Sequence, residues 1–198
     1  MKTRVLFLAV AMLPLFAAGQ DIFRLSLKGG LTMSQIDGDN SGSYSKLGMQ
    51  VGIASTMYVA GPWYTMLEFN VTNKGSRIQK IDRTISLTYV EVPLMLVCRP
   101  GSARFGVAAG MAPGILAKAE VVDAGVYNSS QSGNYRRFDL LPLCVGADYR
   151  FSDRWAAYAR FTMSTINISK TRAGTYFLSR KNVGQFNRYI AAGLSYTF

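Results

Sequence analysis

The chain has 198 residues, 49% of them hydrophobic, and its 22 Lys and Arg residues outnumber its 11 Asp and Glu residues, which gives a formal net charge of +11. It contains no histidine, so a Ser-His-Asp triad and histidine-based metal sites are excluded. The composition therefore argues against an enzyme, and we expect no catalytic residues, no metal and no cofactor.

The N-terminal residues have the pattern of an export signal. Basic residues precede an apolar run at 5–16, and three small residues follow before Gln20. This arrangement is typical of a cleaved secretory signal peptide. A retained membrane anchor is the alternative, but the run is shorter than the roughly 20 residues that a spanning helix needs. We predict a signal peptide at 1–19 and one domain at 20–198.

In the rest of the chain, apolar residues alternate with polar or small ones. No apolar run approaches the roughly 18 residues of a membrane-spanning helix, whereas alternation is typical of β-strands with two different faces. The last strand keeps this alternation up to Phe198, as expected of a strand that ends at a membrane interface. The eight alternating segments are 22–34, 47–59, 63–73, 84–99, 103–117, 138–151, 155–168 and 185–198.

The connections between these segments alternate in length. Short periplasmic turns that alternate with longer extracellular loops are typical of bacterial outer-membrane barrels. We predict an all-β fold, an eight-stranded antiparallel up-and-down transmembrane β-barrel in the bacterial outer membrane, with both termini in the periplasm. The short connections lie around 61–62, 100–102 and 152–154, and the long ones at 35–46, 74–83, 118–137 and 169–184.

The two faces of the segments distinguish a membrane barrel from a soluble lipocalin-like barrel. One face carries large apolar residues, and the other is rich in glycine, serine and threonine. A soluble exterior should carry many charges, so we predict that the apolar face contacts lipid and the small residues fill a narrow lumen. The predicted lipid-facing residues are Phe23, Leu25, Leu27, Leu31, Leu47, Met49, Val51, Ile53, Leu67, Phe69, Val71, Leu141, Leu143, Val145, Ala157, Ala159, Phe161 and Met163.

Aromatic residues concentrate near the short turns and the C-terminus. Such a concentration predicts a periplasmic aromatic girdle at the membrane interface. The alternative is the general preference of strands for aromatic residues. The predicted girdle consists of Tyr58, Trp63, Tyr64, Phe151, Trp155, Tyr196 and Phe198.

Charged residues inside the segments fall on the lumen face. An unpaired charge in a filled lumen would cost several kcal/mol, so we expect Glu68 and Glu91 to pair with Lys28 and Arg160. A structural network is favoured over an ion path or proton site. The predicted lumen charge network consists of Lys28, Glu68, Glu91, Asp148 and Arg160.

Three prolines, at 93, 113 and 142, lie inside predicted strands. Each removes a hydrogen-bond donor from a barrel that has no free edge. We therefore expect bulges or local irregularity at these positions.

The predicted second and fourth long loops are basic. Clusters of Lys and Arg could bind lipopolysaccharide phosphates or an acidic partner, and an ordinary solvated loop surface is the alternative. The candidate residues are Lys74, Arg77, Lys80, Arg83, Lys170, Arg172, Arg180 and Lys181.

Four stretches of the chain resemble one known family: LKGGLTMS at 27–34, LEF at 67–69, YVEVPLML at 89–96 and NRYIAAGLSYTF at 187–198. They are similar to the PorT-like outer-membrane β-barrel family of Bacteroidota. The resemblance implies an eight-stranded barrel, and the namesake member takes part in type IX protein secretion. It supplies no catalytic motif.

Two functions follow from these patterns. The favoured one is a non-enzymatic structural or partner-binding barrel of the cell envelope, with a place in a larger assembly implied by the family resemblance. The alternative is a narrow pore or transporter for ions or small solutes, which the normally filled lumen of an eight-stranded barrel disfavours. The expected partners are outer-membrane lipid, lipopolysaccharide and other envelope proteins, and nucleic acid is not expected.

Overall fold

The computed structural model describes residues 23–39, 44–170 and 184–198. The predicted signal peptide at 1–19 lies outside the described residues. The described part is almost entirely β-structure, with a 3-10 turn at Gln79–Ile81 and a short α-helix at Ser129–Ser132. None of its helices is long and apolar enough to cross a bilayer. Its strands are β1 Phe23–Asp37, β2 Lys46–Ala60, β3 Trp63–Ile78, β4 Arg83–Glu91, β5 Leu94–Cys98, β6 Phe105–Asp123, β7 Val126–Tyr127, β8 Phe138–Arg150, β9 Trp155–Met163 and β10 Phe186–Thr197.

The strands close into an eight-membered antiparallel ring. β4 and β5 both pair with β3 on one side and with β6 on the other, so they are two halves of one ring position. The ring runs β1, β2, β3, β4 with β5, β6, β8, β9 and β10, and pairing of β10 with β1 closes it. β7 forms a small hairpin with the end of β6. This ring confirms the predicted eight-stranded barrel.

The outer surface of the ring is apolar. Most of the predicted lipid-facing residues are exposed, Leu31, Leu47 and Met49 by more than 60%. Inward residues are buried and small where strands come close. A Cβ on Gly30 would lie 2.4 Å from the Ala192 carbonyl oxygen of β10, so the closing strand pair admits only glycine there.

Two of the three prolines interrupt the ladder as expected, whereas Pro113 stays within β6 and pairs with Leu140. Pro93 lies between β4 and β5, and its carbonyl accepts a hydrogen bond from Glu68 N at 2.9 Å, which keeps the ring continuous. Pro142 lies in a bulge of β8, where two residues stand opposite Met111 of β6. This bulge reverses the alternation, so Leu141 points inward and is fully buried instead of facing lipid.

The second of the predicted long connections, at 74–83, is a tight hairpin and not a long loop. β3 and β4 pair up to Ile78 and Arg83, and the turn between them is closed by Asp82 in the left-handed region. The strands therefore continue through most of the segment that was expected to be a loop. Their outward residues there are polar, and Lys118 pairs with Glu120 on the outside of β6, so this end of the barrel projects beyond the apolar band.

We predict that Gly30→Ala destabilises the barrel while the neighbouring Gly29→Ala does not. The new Cβ at position 30 would meet backbone of β10, whereas nothing lies within 4 Å of a Cβ at position 29. Urea unfolding in lipid vesicles, followed by tryptophan fluorescence, should show a loss of about 1–3 kcal/mol for Gly30→Ala and a change within about 0.5 kcal/mol for Gly29→Ala. Equal losses would contradict this explanation of the closing strand pair.

Candidate functional site

Inward side chains in the middle of the barrel gather around Glu68 of β3. Lys28 Nζ of β1 lies 2.6 Å from Glu68 Oε1, and Arg160 Nη1 of β9 lies 2.6 Å from Oε2. Arg160 Nη2 also donates to Oε1 at 2.9 Å, and Asn70 Nδ2 donates to Oε2 at 2.8 Å. All three charged side chains are buried. This group, the Glu68 network, contains one more cation than anion.

A second buried group surrounds Glu91 at the end of β4. Lys74 Nζ lies 2.8 Å from Glu91 Oε1 and 3.2 Å from Asp139 Oδ2. The Tyr189 hydroxyl donates to Glu91 Oε2 at 2.6 Å, and Asn187 Nδ2 donates to Asp139 Oδ2 at 2.6 Å. This group, the Glu91 network, contains one more anion than cation.

The Glu91 network corrects two expectations. Glu91 pairs with Lys74 and not with Lys28 or Arg160, which both bind Glu68. Lys74 was expected on an outer loop, but β3 extends to Ile78 and its alternation turns Lys74 into the lumen, where the side chain is 1% exposed.

A chain of hydrogen bonds from Tyr158 to Glu91, together with a cation–π contact between Lys28 and Tyr158, joins the two networks. The Tyr158 hydroxyl donates to Gln50 Oε1 at 3.4 Å, Gln50 Nε2 donates to Thr72 Oγ1 at 3.0 Å, and Thr72 Oγ1 donates to Glu91 Oε2 at 3.0 Å. The Lys28 ammonium lies 4.2 Å from the centre of the Tyr158 ring. Together the two networks, which we call the plug, contain three cations and three carboxylates, so their formal charges cancel.

Asp148, the remaining member of the predicted network, is separate from the plug. It forms an ion pair with Arg99, which lies just after β5. The Arg99 guanidinium is 5.9 Å from the centre of the Tyr64 ring. The single predicted network is therefore three groups at different depths of the lumen.

The end of the barrel that carries the short turns, the turn end, is open. A cavity of about 1250 Å³ lies there, and its lining includes Arg24, Arg99, Arg104, Arg150 and Arg154. We call this cavity the vestibule. A void of about 70 Å³ lies deeper, against the Lys28 and Arg160 side chains of the plug.

The opposite end, the loop end, is closed above the plug by apolar side chains. Seven residues from strands and connections form this cluster: Ile36, Ile85, Leu87, Tyr89, Val121, Tyr135 and Ile168. At the rim, Arg83 Nε lies 2.5 Å from Asp123 Oδ1. This hydrogen bond, together with one from Asn128, holds the pKa of the Asp123 carboxyl below its usual value.

The predicted loop bases do not form one group. Arg77 is exposed, Arg83 is paired with Asp123, and Lys170 Nζ donates to the Gly133 carbonyl at 2.7 Å. The backbone of Lys80 lies in the 3-10 turn. The residues at 172, 180 and 181 lie outside the described part of the chain.

The predicted aromatic girdle divides into two faces. Trp155, Tyr196 and Phe198 follow one another in edge-to-face contacts, with ring centres 5.1 and 5.3 Å apart, and Trp63 and Phe151 are also exposed.

Tyr58 and Tyr64 differ from the rest of the predicted girdle. Their rings are 5.5 Å apart, and both lie on the inward parity of their strands. Tyr64 packs against the inner cluster of Met95 and Val97. Tyr64 therefore lines the vestibule and does not face lipid. Alternation along β3 places Trp63 on the lipid face and its neighbour Tyr64 on the lumen face.

Sequence reasoning missed Asp139 as a lumen charge. It shares its parity with Leu141 and Leu143, which were assigned to the lipid face. The bulge at Pro142 turns Asp139 and Leu141 inward. The available signal was a proline inside the strand, at 142, together with a charged residue, Asp139, on the face that was assigned to lipid.

Comparison with known proteins agrees with this architecture. Residues 18–170 match the family described as "Outer membrane protein beta-barrel domain". No curated protein sequence matches the chain. The fold is similar to that of Ail, the attachment invasion locus protein of Yersinia pestis, with a TM-score of 0.54 at 13% identity, covering 89% of this chain and 99% of that one.

Two further solved structures give weaker likenesses. Neisserial surface protein A has a TM-score of 0.48 at 10% identity, covering 89% of this chain and 97% of that one. OprG from Pseudomonas aeruginosa has a TM-score of 0.44 at 13% identity, covering 89% of this chain and 96% of that one.

We predict that Glu68→Gln strongly destabilises the barrel, because it leaves Lys28 and Arg160 buried without a carboxylate. Urea unfolding in vesicles should show a loss of about 3–5 kcal/mol. The control is Glu120→Gln, which removes the same charge from an exposed pair with Lys118 and should change stability by less than about 1 kcal/mol. A loss at Glu68 no larger than at Glu120 would show that the plug is not held by its charges.

Proposed function

The chain belongs to the family of outer membrane protein β-barrel domains, and we propose that it acts in the outer membrane as a closed, non-enzymatic barrel whose exposed ends and lipid-facing wall bind other envelope components. The observation that carries this proposal is the neutral plug. Its three carboxylates, on Glu68, Glu91 and Asp139, are 0% exposed, and each is bonded to a cation inside the barrel.

A plug of this kind opposes conduction. A pore needs a continuous polar path with sites that ions can enter and leave. Here the charged groups are bonded to each other, and the apolar cluster that includes Leu87 and Ile168 covers them on the loop end. A solute would have to break ion pairs and displace this cluster before it could cross.

We propose that the turn end faces the periplasm and the loop end faces outward. Support comes from the alternation of short and long connections, which outer-membrane barrels orient in this way, and from the export signal that we infer at 1–19. Both termini would then be periplasmic. The resemblance to the PorT-like family suggests protein secretion as the pathway in which such a barrel would serve.

The loop end also suggests a ligand. Arg77, Arg136, Arg137 and Lys170 are exposed there, and basic clusters of this kind attract phosphate groups. The Ail structure was determined with the heparin analogue sucrose octasulfate, a polyanion. We therefore propose that the loop end contacts the phosphates of lipopolysaccharide.

Planar-bilayer recording tests the closed barrel. The wild-type protein should insert without steady single-channel steps, because the plug and the apolar cluster block the lumen. An open porin in the same bilayer is the control for insertion and detection. Steady, ion-selective steps from the wild-type protein would contradict the proposal and would favour the narrow pore for ions or small solutes.

Co-purification tests the lipopolysaccharide contact. Replacing Arg77, Arg136, Arg137 and Lys170 together by glutamine should reduce bound lipopolysaccharide at least about tenfold, since each basic residue near an anionic surface contributes about 1 kcal/mol. The control replaces two exposed arginines at the turn end, Arg104 and Arg154, and should retain wild-type levels. Equal amounts of bound lipopolysaccharide in both variants would contradict the proposed contact.

A further inference from the structure

The vestibule at the turn end carries a concentration of positive charge that the plug does not use. Its lining includes five arginines and one acidic side chain, Asp153. The arginines come from β1, from both sides of the turn between β5 and β6, and from both sides of the turn between β8 and β9. Residues far apart in the sequence therefore converge on one cavity.

Arg99 is the innermost of these arginines. It is 5% exposed and lines both the vestibule and the deeper void. Its Nη2 is bonded to Asp148, but its Nε and Nη1 have no hydrogen-bond partner among the described residues. Buried charged donors are costly to leave unbonded, so these two nitrogens mark positions on either side of the guanidinium where acceptor oxygens would be strongly stabilised.

The surroundings of Arg99 leave room for its ion pair with Asp148 and place a second arginine in the same cavity. A Cβ on Gly106 would lie 2.9 Å from Arg99 Nη2 and 2.8 Å from Asp148 Oδ1, so the glycine leaves room for the ion pair. Asp148 neutralises one side of the guanidinium. Arg150 lines the same cavity, is half-buried, and has no ion-pair partner among the residues that the structure describes.

We propose that the vestibule is a binding site for a phosphate-class oxyanion, with Arg99 and Arg150 as its principal donors and Arg24 at the mouth. The planar guanidinium presents several N–H groups in a fixed fork that matches the oxygens of phosphate. Phosphate offers more acceptor oxygens than a carboxylate, and this suits donors that converge from several strands. Binding itself does not depend on the orientation proposed above.

The phosphate can belong to a lipid headgroup or to a soluble phosphate ester. The mouth of the vestibule is also lined by the exposed apolar residues Phe23, Leu25 and Phe198. This combination of arginines and apolar side chains suits a phospholipid, whose headgroup would enter while its acyl chains stay on the barrel wall. A soluble ester would need only the arginines.

The soluble arm of the test uses the purified barrel in a maltoside detergent that contains no phosphate. Titration with inorganic phosphate and with glycerol 3-phosphate by calorimetry should show saturable binding. Arg150→Gln should weaken it at least about tenfold, the effect expected for loss of a charge-assisted hydrogen bond. Lys118→Gln removes a positive charge from the outside of β6, away from the vestibule, and should leave the affinity unchanged.

The lipid arm uses native mass spectrometry after incubation with phosphatidylglycerol. Retention of one lipid that is lost in Arg150→Gln, kept in Lys118→Gln and displaced by glycerol 3-phosphate identifies a headgroup as the source. Binding of the soluble esters without specific lipid retention identifies a soluble ester. Arg99→Gln should abolish binding in the arm that is positive, and a heat-modifiable band on a gel verifies that each variant is folded.

Three outcomes would overturn the proposal. They are no saturable binding in either arm, equal weakening by Arg150→Gln and Lys118→Gln, and lipid retention that is indifferent to Arg150. The second outcome would mean that only general electrostatic attraction is at work. None of them bears on the conductance experiment, so the vestibule and the closed lumen are tested separately.

Discussion

The requirement that buried charges cancel governs the interior of this barrel. Neither network in the lumen is balanced alone, since the Glu68 network has an excess cation and the Glu91 network an excess anion. An isolated buried charge is expensive, and removing one partner of a buried pair leaves such a charge behind. Hydrogen bonds from Tyr158 through Gln50 and Thr72 to Glu91, with Lys28 over the Tyr158 ring, connect the two networks, so the favourable state is the complete plug. The strands that carry its charged residues, β1, β3, β4, β8 and β9, are held at fixed depths relative to one another.

The inward glycines are the counterpart of these long polar side chains. A Cβ on Gly30 would lie 2.8 Å from the Tyr158 hydroxyl, one on Gly52 would lie 2.1 Å from Asn70 Oδ1, and one on Gly114 would lie 3.1 Å from Glu91 Cγ. Each of these glycines faces a side chain of the plug or its immediate neighbour. The glycine-rich face therefore provides space for a packed polar core within a narrow ring, and it does not by itself indicate an open channel.

The number of strands, the lipid face and the pairing of Glu68 could be predicted from the sequence, because alternation and charge act locally along one strand. Prediction from the sequence placed residues on the wrong face or in a loop where alternation alone was insufficient. Asp139 and Leu141 changed faces at a bulge whose position depends on pairing with β6. Lys74 was misplaced because hairpin length is set by pairing between β3 and β4, which continues past the last apolar residue. In each case the missing information was the register between two strands.

The two ends of the barrel differ in what they offer to a partner. The loop end is closed by the apolar cluster around Leu87 and projects polar strands beyond the apolar band. The turn end is open as far as Arg99, with a small separate void against Lys28 beyond it, and its charge is predominantly positive. A barrel closed in the way proposed above would not exchange solutes between these ends, so a signal on one side would reach the other only through rigid movement of the whole ring or through the lipid around it. Because the charged residues of the plug fix five strands against one another, the proposed recognition at either end would depend mainly on preformed surfaces.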